Sequence, residues 1–290
     1  MSTINTRAPQ PLRTFTAAVG CLANRLIPRG QYVSGTDETG QASRFFFIHV
    51  QKTGGTALFK RLKHQFGERA VYPDASDGDV VTVAPQLSVD VLLERWRDRA
   101  DEIRVVTGHF PLCTKDLLGG GFTTLTVLRE PVARTLSYLR HHQELTPADH
   151  DKSLEAIYDD EFRFQALVQN HMVKMFCLTP GEMTDGMLTP TVFTPAHLDR
   201  AKGQLATVDA LGLQERFDEY CEHLEARFGW QLGAPLHANR TKPTAVSESF
   251  RARIAQDNLM DVELYDYARQ LYEARRNEAT AEPHRTTPLR

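Results

Sequence analysis

The sequence predicts an α/β protein: a central parallel sheet covered by helices on both faces, followed by a helix-rich C-terminal half. Three observations predict it. Residues 44–50, Arg-Phe-Phe-Phe-Ile-His-Val, form a continuous apolar run of strand length, as a strand buried on both faces requires. Apolar residues at helical spacing follow it, and strand-like and helix-like segments then alternate along the first half. Of 290 residues, 41% are hydrophobic and 24% charged, ordinary proportions for a globular chain that can bury a core.

Residues 1–43 are rich in Thr, Pro, Gly and Arg and read as an N-terminal extension. Its apolar stretch 15–23 is broken by Thr16 and Gly20 and followed by Arg25 and Arg29, so it predicts an arm or short helix rather than a secretion signal. After the first strand comes a loop at 51–56, then a helix with Leu58, Phe59, Leu62 and Phe66 on one face, stopped by Gly67. Residues 68–87 read as loop. Ser88 caps a helix through Ala100 with Val91, Leu92, Leu93 and Trp96 inside. Strands at 103–107 and 122–128 end at Gly108-His109 and at Arg129-Glu130-Pro131, and Pro131 suits the first turn of a helix. Phe164, Leu167, Val168, Met172, Met175 and Phe176 make one helical stripe. Helices at 195–208 and 215–228 flank a short strand at 210–213. A polar loop at 237–243 precedes two closing helices that end near Ala274, and residues 275–290 read as a disordered tail. The main domain is therefore 44–274.

A net charge of −3 argues against general nucleic-acid binding, which needs a basic face. No stretch approaches the roughly 20 apolar residues of a membrane span, which argues against stable membrane insertion. The four cysteines, Cys21, Cys113, Cys177 and Cys221, show no metal-type spacing and read as buried thiols of a reducing compartment, the cytoplasm.

The segment Gln51-Lys-Thr-Gly-Gly-Thr56 carries the chemistry. A strand that enters a glycine loop and then a helix N-terminus offers free backbone N–H groups and the positive end of the helix dipole to an anion. Gly54 and Gly55 let the backbone approach a ligand closely, Lys52 adds a mobile charge, and Thr53 and Thr56 add hydroxyl donors. The lysine precedes the glycines, whereas the nucleoside-triphosphate loop places it after them. By itself the pattern serves a phosphate site and a plain strand-to-helix turn equally.

Two motifs in order make it specific. His49-Val-Gln-Lys-Thr-Gly-Gly-Thr56 resembles the 5′-phosphosulfate loop of sulfotransferases that use 3′-phosphoadenosine 5′-phosphosulfate (PAPS), with Gln51 at the usual proline. Leu125-Thr-Val-Leu-Arg-Glu-Pro-Val-Ala-Arg-Thr-Leu-Ser-Tyr138 resembles the same family's 3′-phosphate motif. Three further segments extend the resemblance over about residues 44–272: Asn170–Phe176, Ala201–Phe217, and the loop Asn239-Arg-Thr-Lys-Pro243.

The resemblance implies a P-loop-like three-layer sandwich that binds PAPS as co-substrate, releases the bisphosphate PAP, and needs no metal. It implies that Lys52, Thr53, Gly54, Gly55 and Thr56 hold the 5′ end and that Arg129 and Ser137 hold the 3′-phosphate. Lys242, with Arg240 and Asn239, would close over the nucleotide; a solvated loop accounts for them equally well. Arg134 reads equally as a ligand or as a solvated helix face. Thr107-Gly-His-Phe110 resembles the Gly-His element of the heparan-sulfate 2-O-sulfotransferase branch, which implies that His109 is the general base. By position alone, a lone histidine at a strand end is more often structural. His171, beside the methionine stripe, reads as facing the acceptor or, in preference, as core packing, and His141 and His142 read as exposed. The acceptor implied is a hydroxyl, on a sugar-containing molecule, met by the unpatterned segments 68–87, 110–121 and 145–160. Two rivals remain: a P-loop kinase or phosphotransferase, and a non-catalytic nucleotide-binding module. Oligomeric state is not legible.

Overall fold

The computed structural model describes residues 44–78, 84–233 and 245–281. The 1–43 extension and the loop 237–243 lie outside the described residues.

β1 (Phe45–Ile48) is the centre of a five-stranded, all-parallel sheet. α1 (Gly55–Phe66) leads to β2 (Val71–Tyr72) at one edge, and α2 (Ala84–Leu87) and α3 (Val89–Arg99) lead back to β3 (Val105–Gly108) beside β1. α4 (Thr114–Leu117) then precedes β4 (Thr123–Leu128) on the other side of β1. α5 (Pro131–Leu145), α6 (Leu154–Tyr158), α7 (Glu161–Arg163), a π-helical turn at Phe164–Val168, α8 (His171–Cys177) and α9 (Pro195–Ala206) fill the long connection to β5 (Ala210–Leu213). α10 (Phe217–Phe228), α11 (Glu248–Asp257) and α12 (Leu259–Ala281) close the chain. The strand order is β2-β3-β1-β4-β5.

The sequence of β1 explains its place. Phe45 and Phe47 point to one face, against Leu58 and Leu62 of α1 and Tyr220 and Leu224 of α10. Phe46 and Ile48 point to the other, against Trp96 of α3, α8, α9 and α12. All four side chains are buried, at about 1.5–3 kcal/mol each, so only the strand covered on both faces can accept this run. A third apolar cluster joins α5, α6, the π-turn and α11 through Leu136, Leu139, Ile157, Phe250 and Ile254. Cys113, Cys177 and Cys221 are free and buried in these cores. Among the described residues, no helix is long and apolar enough to cross a membrane.

The predicted strands and major helices are present, with Ser88 capping α3 through the Val91 N–H at 3.3 Å. Four expectations are corrected. β2 and α2 lie within the segment read as loop, and so escape any periodicity test because each is four residues or fewer. The stripe 164–176 is not one helix: it breaks at Asn170, which is left-handed at φ 43°. The helix read from residue 215 starts at Phe217, after a 3₁₀ turn at Gln214–Arg216. α12 runs on to Ala281, so 275–281 is helix and not disordered tail; Arg275 donates to the carbonyls of Ala206 and Val208, both at 2.7 Å, and fastens it.

Candidate active site

The chain leaves β1 for β2 and β3 on one side, and takes up β4 and β5 on the other. In such open sheets, ligands bind beyond the carboxyl ends of the strands where the order reverses. At that edge β1 ends in His49 and the glycine loop, β3 in Gly108-His109, and β4 in Arg129.

The loop between β1 and α1 is held in a strained shape. Lys52 is left-handed at φ 65° and Gly54 at φ 92°. For a residue with a side chain this costs about 1–2 kcal/mol, so the surroundings must enforce it. They do so from two sides. The Arg129 guanidinium donates to the Lys52 carbonyl at 3.1 Å, and the buried Thr53 hydroxyl donates to the Val50 carbonyl at 2.9 Å. Thr53 thereby departs from its expected role: its hydroxyl braces the loop, and only its backbone N–H is left for a ligand. Thr56 is exposed on the first turn of α1, where its hydroxyl is accessible.

Gly55 is required for space. A Cβ there would stand 2.0 Å from the His49 ring, which packs directly beneath the start of α1. Gly54, the residue before α1, offers no side-chain cap, and the first turn carries no acidic residue. The amides of that turn therefore have no carboxylate or hydroxyl competing for them.

Positive charge crowds this edge. Burial lowers the pKa of Lys52, and the Arg129 charge lowers it further, against a smaller opposing pull from Glu144. Burial likewise lowers that of Arg129; Glu130 opposes it and Arg140 reinforces it. Like charges held half-buried and close together favour a polyanionic ligand.

His109 is fixed by its neighbours. Its backbone N–H donates to the Gln86 carbonyl at 2.8 Å. Its ring lies 4.5 Å, centroid to centroid, from that of His49, and its Nδ1 is 2.7 Å from the His49 carbonyl oxygen. A carbonyl only accepts, so this bond assigns the hydrogen to Nδ1 and leaves a lone pair on Nε2. Burial pushes the pKa of His109 down to about 4; the bond to His49 opposes this, and the Lys52 charge adds to it. The imidazole is neutral near pH 7 and is the tautomer a base needs.

α5 begins with an acid and a proline for a local reason. Glu130 caps it, accepting from the N–H groups of Val132 at 2.9 Å and Ala133 at 2.6 Å, and Pro131 takes the first helical position. Ser137 is half-buried along this helix. It shares helical spacing with Arg140, His141 and Glu144, and the latter two act electrostatically on Lys52 or feel it. His141 and His142 are half-buried rather than exposed, with the His142 ring 4.4 Å from that of Tyr138. The Arg140–His141–Glu144 face is part of the site that sequence reading passed over; its spacing from Ser137 was the available signal.

Arg134 is neither ligand nor solvated. It is fully buried and donates to the Val168 carbonyl at 3.1 Å and the Leu167 carbonyl at 3.4 Å. Lys174, equally buried, donates to the carbonyls of Gln165 at 3.0 Å and Ala166 at 3.1 Å. Two buried cations thus satisfy four successive carbonyls at the end of the π-turn, where a helix leaves acceptors unpaired. Asp261 of α12 accepts from Met172 and Val173 at the opposite helix start, α8, and Asn258 holds the Asn170 N–H at 2.8 Å. His171 is fully buried beside them, as packing predicted, yet neither ring nitrogen has a hydrogen-bond partner among the described residues. Lys242, Arg240 and Asn239 lie outside the described residues.

The structure therefore joins the loop and Arg129 by a direct hydrogen bond and brings His109 against His49, which packs under Gly55, with Ser137 on the adjoining helix; Arg134 lies in the core. In comparison with known proteins, no family model matches the chain and no curated protein matches it in sequence.

Proposed function

We propose that the chain is a sulfotransferase that moves the sulfuryl group of PAPS onto a hydroxyl of an acceptor, most simply a sugar-containing one. One observation carries the reading: His109, held as the Nδ1–H tautomer by the His49 carbonyl, stands at the strand beside a cationic glycine loop that is clamped by Arg129. A base and an anion cradle on adjacent strand ends are what a transfer from an anionic donor to a hydroxyl requires. The strand order, with this loop at the end of the central strand, supports a P-loop-like sandwich.

In this reading the free amides at the start of α1 and Lys52 hold the 5′-phosphosulfate, and Arg129 and Ser137 hold the 3′-phosphate. The acceptor oxygen attacks sulfur in line. The bond from sulfur to the bridging oxygen breaks, and its electron pair leaves on the 5′-phosphate of PAP. Lys52 stabilises that charge, and the acceptor proton passes to Nε2 of His109. Catalysis is positioning plus electrostatic stabilisation.

The test is thermal-shift profiling with PAP, ATP and ADP, each with and without magnesium. PAP at about a hundred times its Kd stabilises by about 2.7 kcal/mol, which a melting curve resolves. Stabilisation by PAP without metal, and not by ATP, is expected. Stabilisation by ATP with magnesium and not by PAP would replace this reading with a phosphotransferase.

A further inference from the structure

Glu215 is an acid one strand away from the anion cradle. β4 and β5 pair in parallel register with Leu128 opposite Leu213, so Arg129 and Gln214 leave neighbouring strands side by side, about 4.8 Å apart. The 3₁₀ turn Gln214–Arg216 that follows lies against the glycine loop: a Cβ on Gly54 would stand 3.7 Å from Cγ of Gln214 and 3.5 Å from the Phe217 ring. This turn therefore borders both groups to which the nucleotide reading gives the two phosphates.

Glu215 is held on one oxygen and open on the other. Its Oε1 accepts from the hydroxyl of Tyr265, a buried residue of α12, and its Oε2 has no partner among the described residues. The side chain lines a cavity of about 630 Å³ between the turn, the end of β5 at Leu213, and α12, a volume within the usual range of a small-ligand site. No ion pair joins Glu215 to the cations of this lining among the described residues. Arg216 is tied to Glu273 at 3.4 Å and to Glu219 at 3.5 Å, and Arg269 stands at the exposed rim with Asp266 and Gln270.

A carboxylate accepts from a hydroxyl and repels a phosphate. Between a 5′-phosphate on the loop and a 3′-phosphate on Arg129 and Ser137 lies a ribose, and the ribose of PAP keeps one hydroxyl, at C2′. We propose that Glu215 is a specificity-determining residue that accepts a hydrogen bond from the 2′-hydroxyl of the donor nucleotide, while the cavity behind it receives the rest of the nucleoside. This rests on the nucleotide reading above. Glu215 thereby selects the 3′-phosphorylated nucleotide, because a phosphate moved to C2′ would meet the carboxylate.

The experiment is calorimetric titration of the full chain with three probes: PAP, its 2′-deoxy analogue, and adenosine 2′,5′-bisphosphate. The wild type should bind the 2′-deoxy analogue about tenfold more weakly than PAP, the worth of one hydrogen bond. In Glu215→Ala, PAP should weaken to the level of the 2′-deoxy analogue, the analogue's own Kd should hold, and the 2′,5′-isomer should bind more tightly than to the wild type. A purely structural role would weaken PAP and its 2′-deoxy analogue alike. The alanine leaves the Tyr265 hydroxyl without its partner, so Glu215→Gln is the second variant. It keeps an acceptor and removes the charge, and should retain part of the preference for the 2′-hydroxyl while admitting the 2′,5′-isomer. Equal binding of PAP and its 2′-deoxy analogue by the wild type, a preference undiminished in Glu215→Ala, or a 2′,5′-isomer that gains nothing in Glu215→Gln would each overturn the proposal. Failure of PAP to bind at all would instead overturn the nucleotide reading.

Discussion

Lys52 occupies a backbone conformation that glycine would adopt without strain, and the strain places a charged side chain on the loop itself rather than on the helix behind it. Its neighbour Gly55 has the opposite logic: there the side chain is what must be missing. Gly55→Ala should push the His49 ring, disturb the bond from His109 to the His49 carbonyl, and cost about 1–3 kcal/mol as overpacking. Urea unfolding measures the cost, and the PAP-induced thermal shift should shrink with it; an unchanged shift would mean that the ring can move aside freely. His109→Ala should lower turnover by about 10²–10⁴-fold, the usual worth of a general base, while PAP affinity stays within about threefold. Release of PAP followed by mass spectrometry with a working acceptor checks the first, and calorimetry the second. Turnover retained in His109→Ala would assign the proton to another group.

At the scale of elements, the π-turn is stapled by Arg134 and Lys174, one cation for each pair of carbonyls. Arg134→Met should leave two buried carbonyls unpaired, at about 1–3 kcal/mol each, and lower the urea midpoint without changing the Kd for PAP of the folded protein. A loss of PAP affinity at unchanged stability would return Arg134 to the ligand set. The same elements show what was legible beforehand. β1, its loop and α1 announced themselves because an unbroken apolar run, two adjacent glycines and a helical stripe stand within a few residues of each other. Glu130-Pro131 marked the start of α5. Arg134 could not be placed, because its partners lie in a turn more than thirty residues on, and the i→i−4 pattern of a helix gives no hint that Phe164–Val168 relaxes to a π-turn. The break at Asn170 is equally invisible: it is set by Asn258 and Asp261, which arrive from the far end of the chain.

For the whole molecule, buried histidines dominate the response to acid. Burial holds His49 and His171 well below the ordinary imidazole value and His109 at about 4. Their folded values lie below the unfolded value of about 6.5, so the unfolded chain takes up protons first as the pH falls. The stability they contribute is complete above about pH 6.5 and is lost as the pH falls toward 4. Asp261, raised to about 6 by burial, works in the other direction: its folded state binds the proton more tightly and gains as the pH falls through that value. These imidazoles, joined by His142, which burial and the Arg163 charge also hold at about 4, outweigh one carboxyl, so the melting temperature should fall on the order of 5–10 °C between pH 7 and 5, as scanning calorimetry would show. A flat profile would mean that these rings are hydrated in solution. Finally, β1 sits between partners that come long after it: Phe45 pairs with Val105 on one side and Thr123 on the other. During synthesis the glycine loop emerges early and waits through about eighty residues for the guanidinium that clamps it. A nascent chain halted before Arg129 therefore carries the whole cradle sequence and its local Thr53 brace but not the guanidinium clamp, which arrives only when the fourth strand docks.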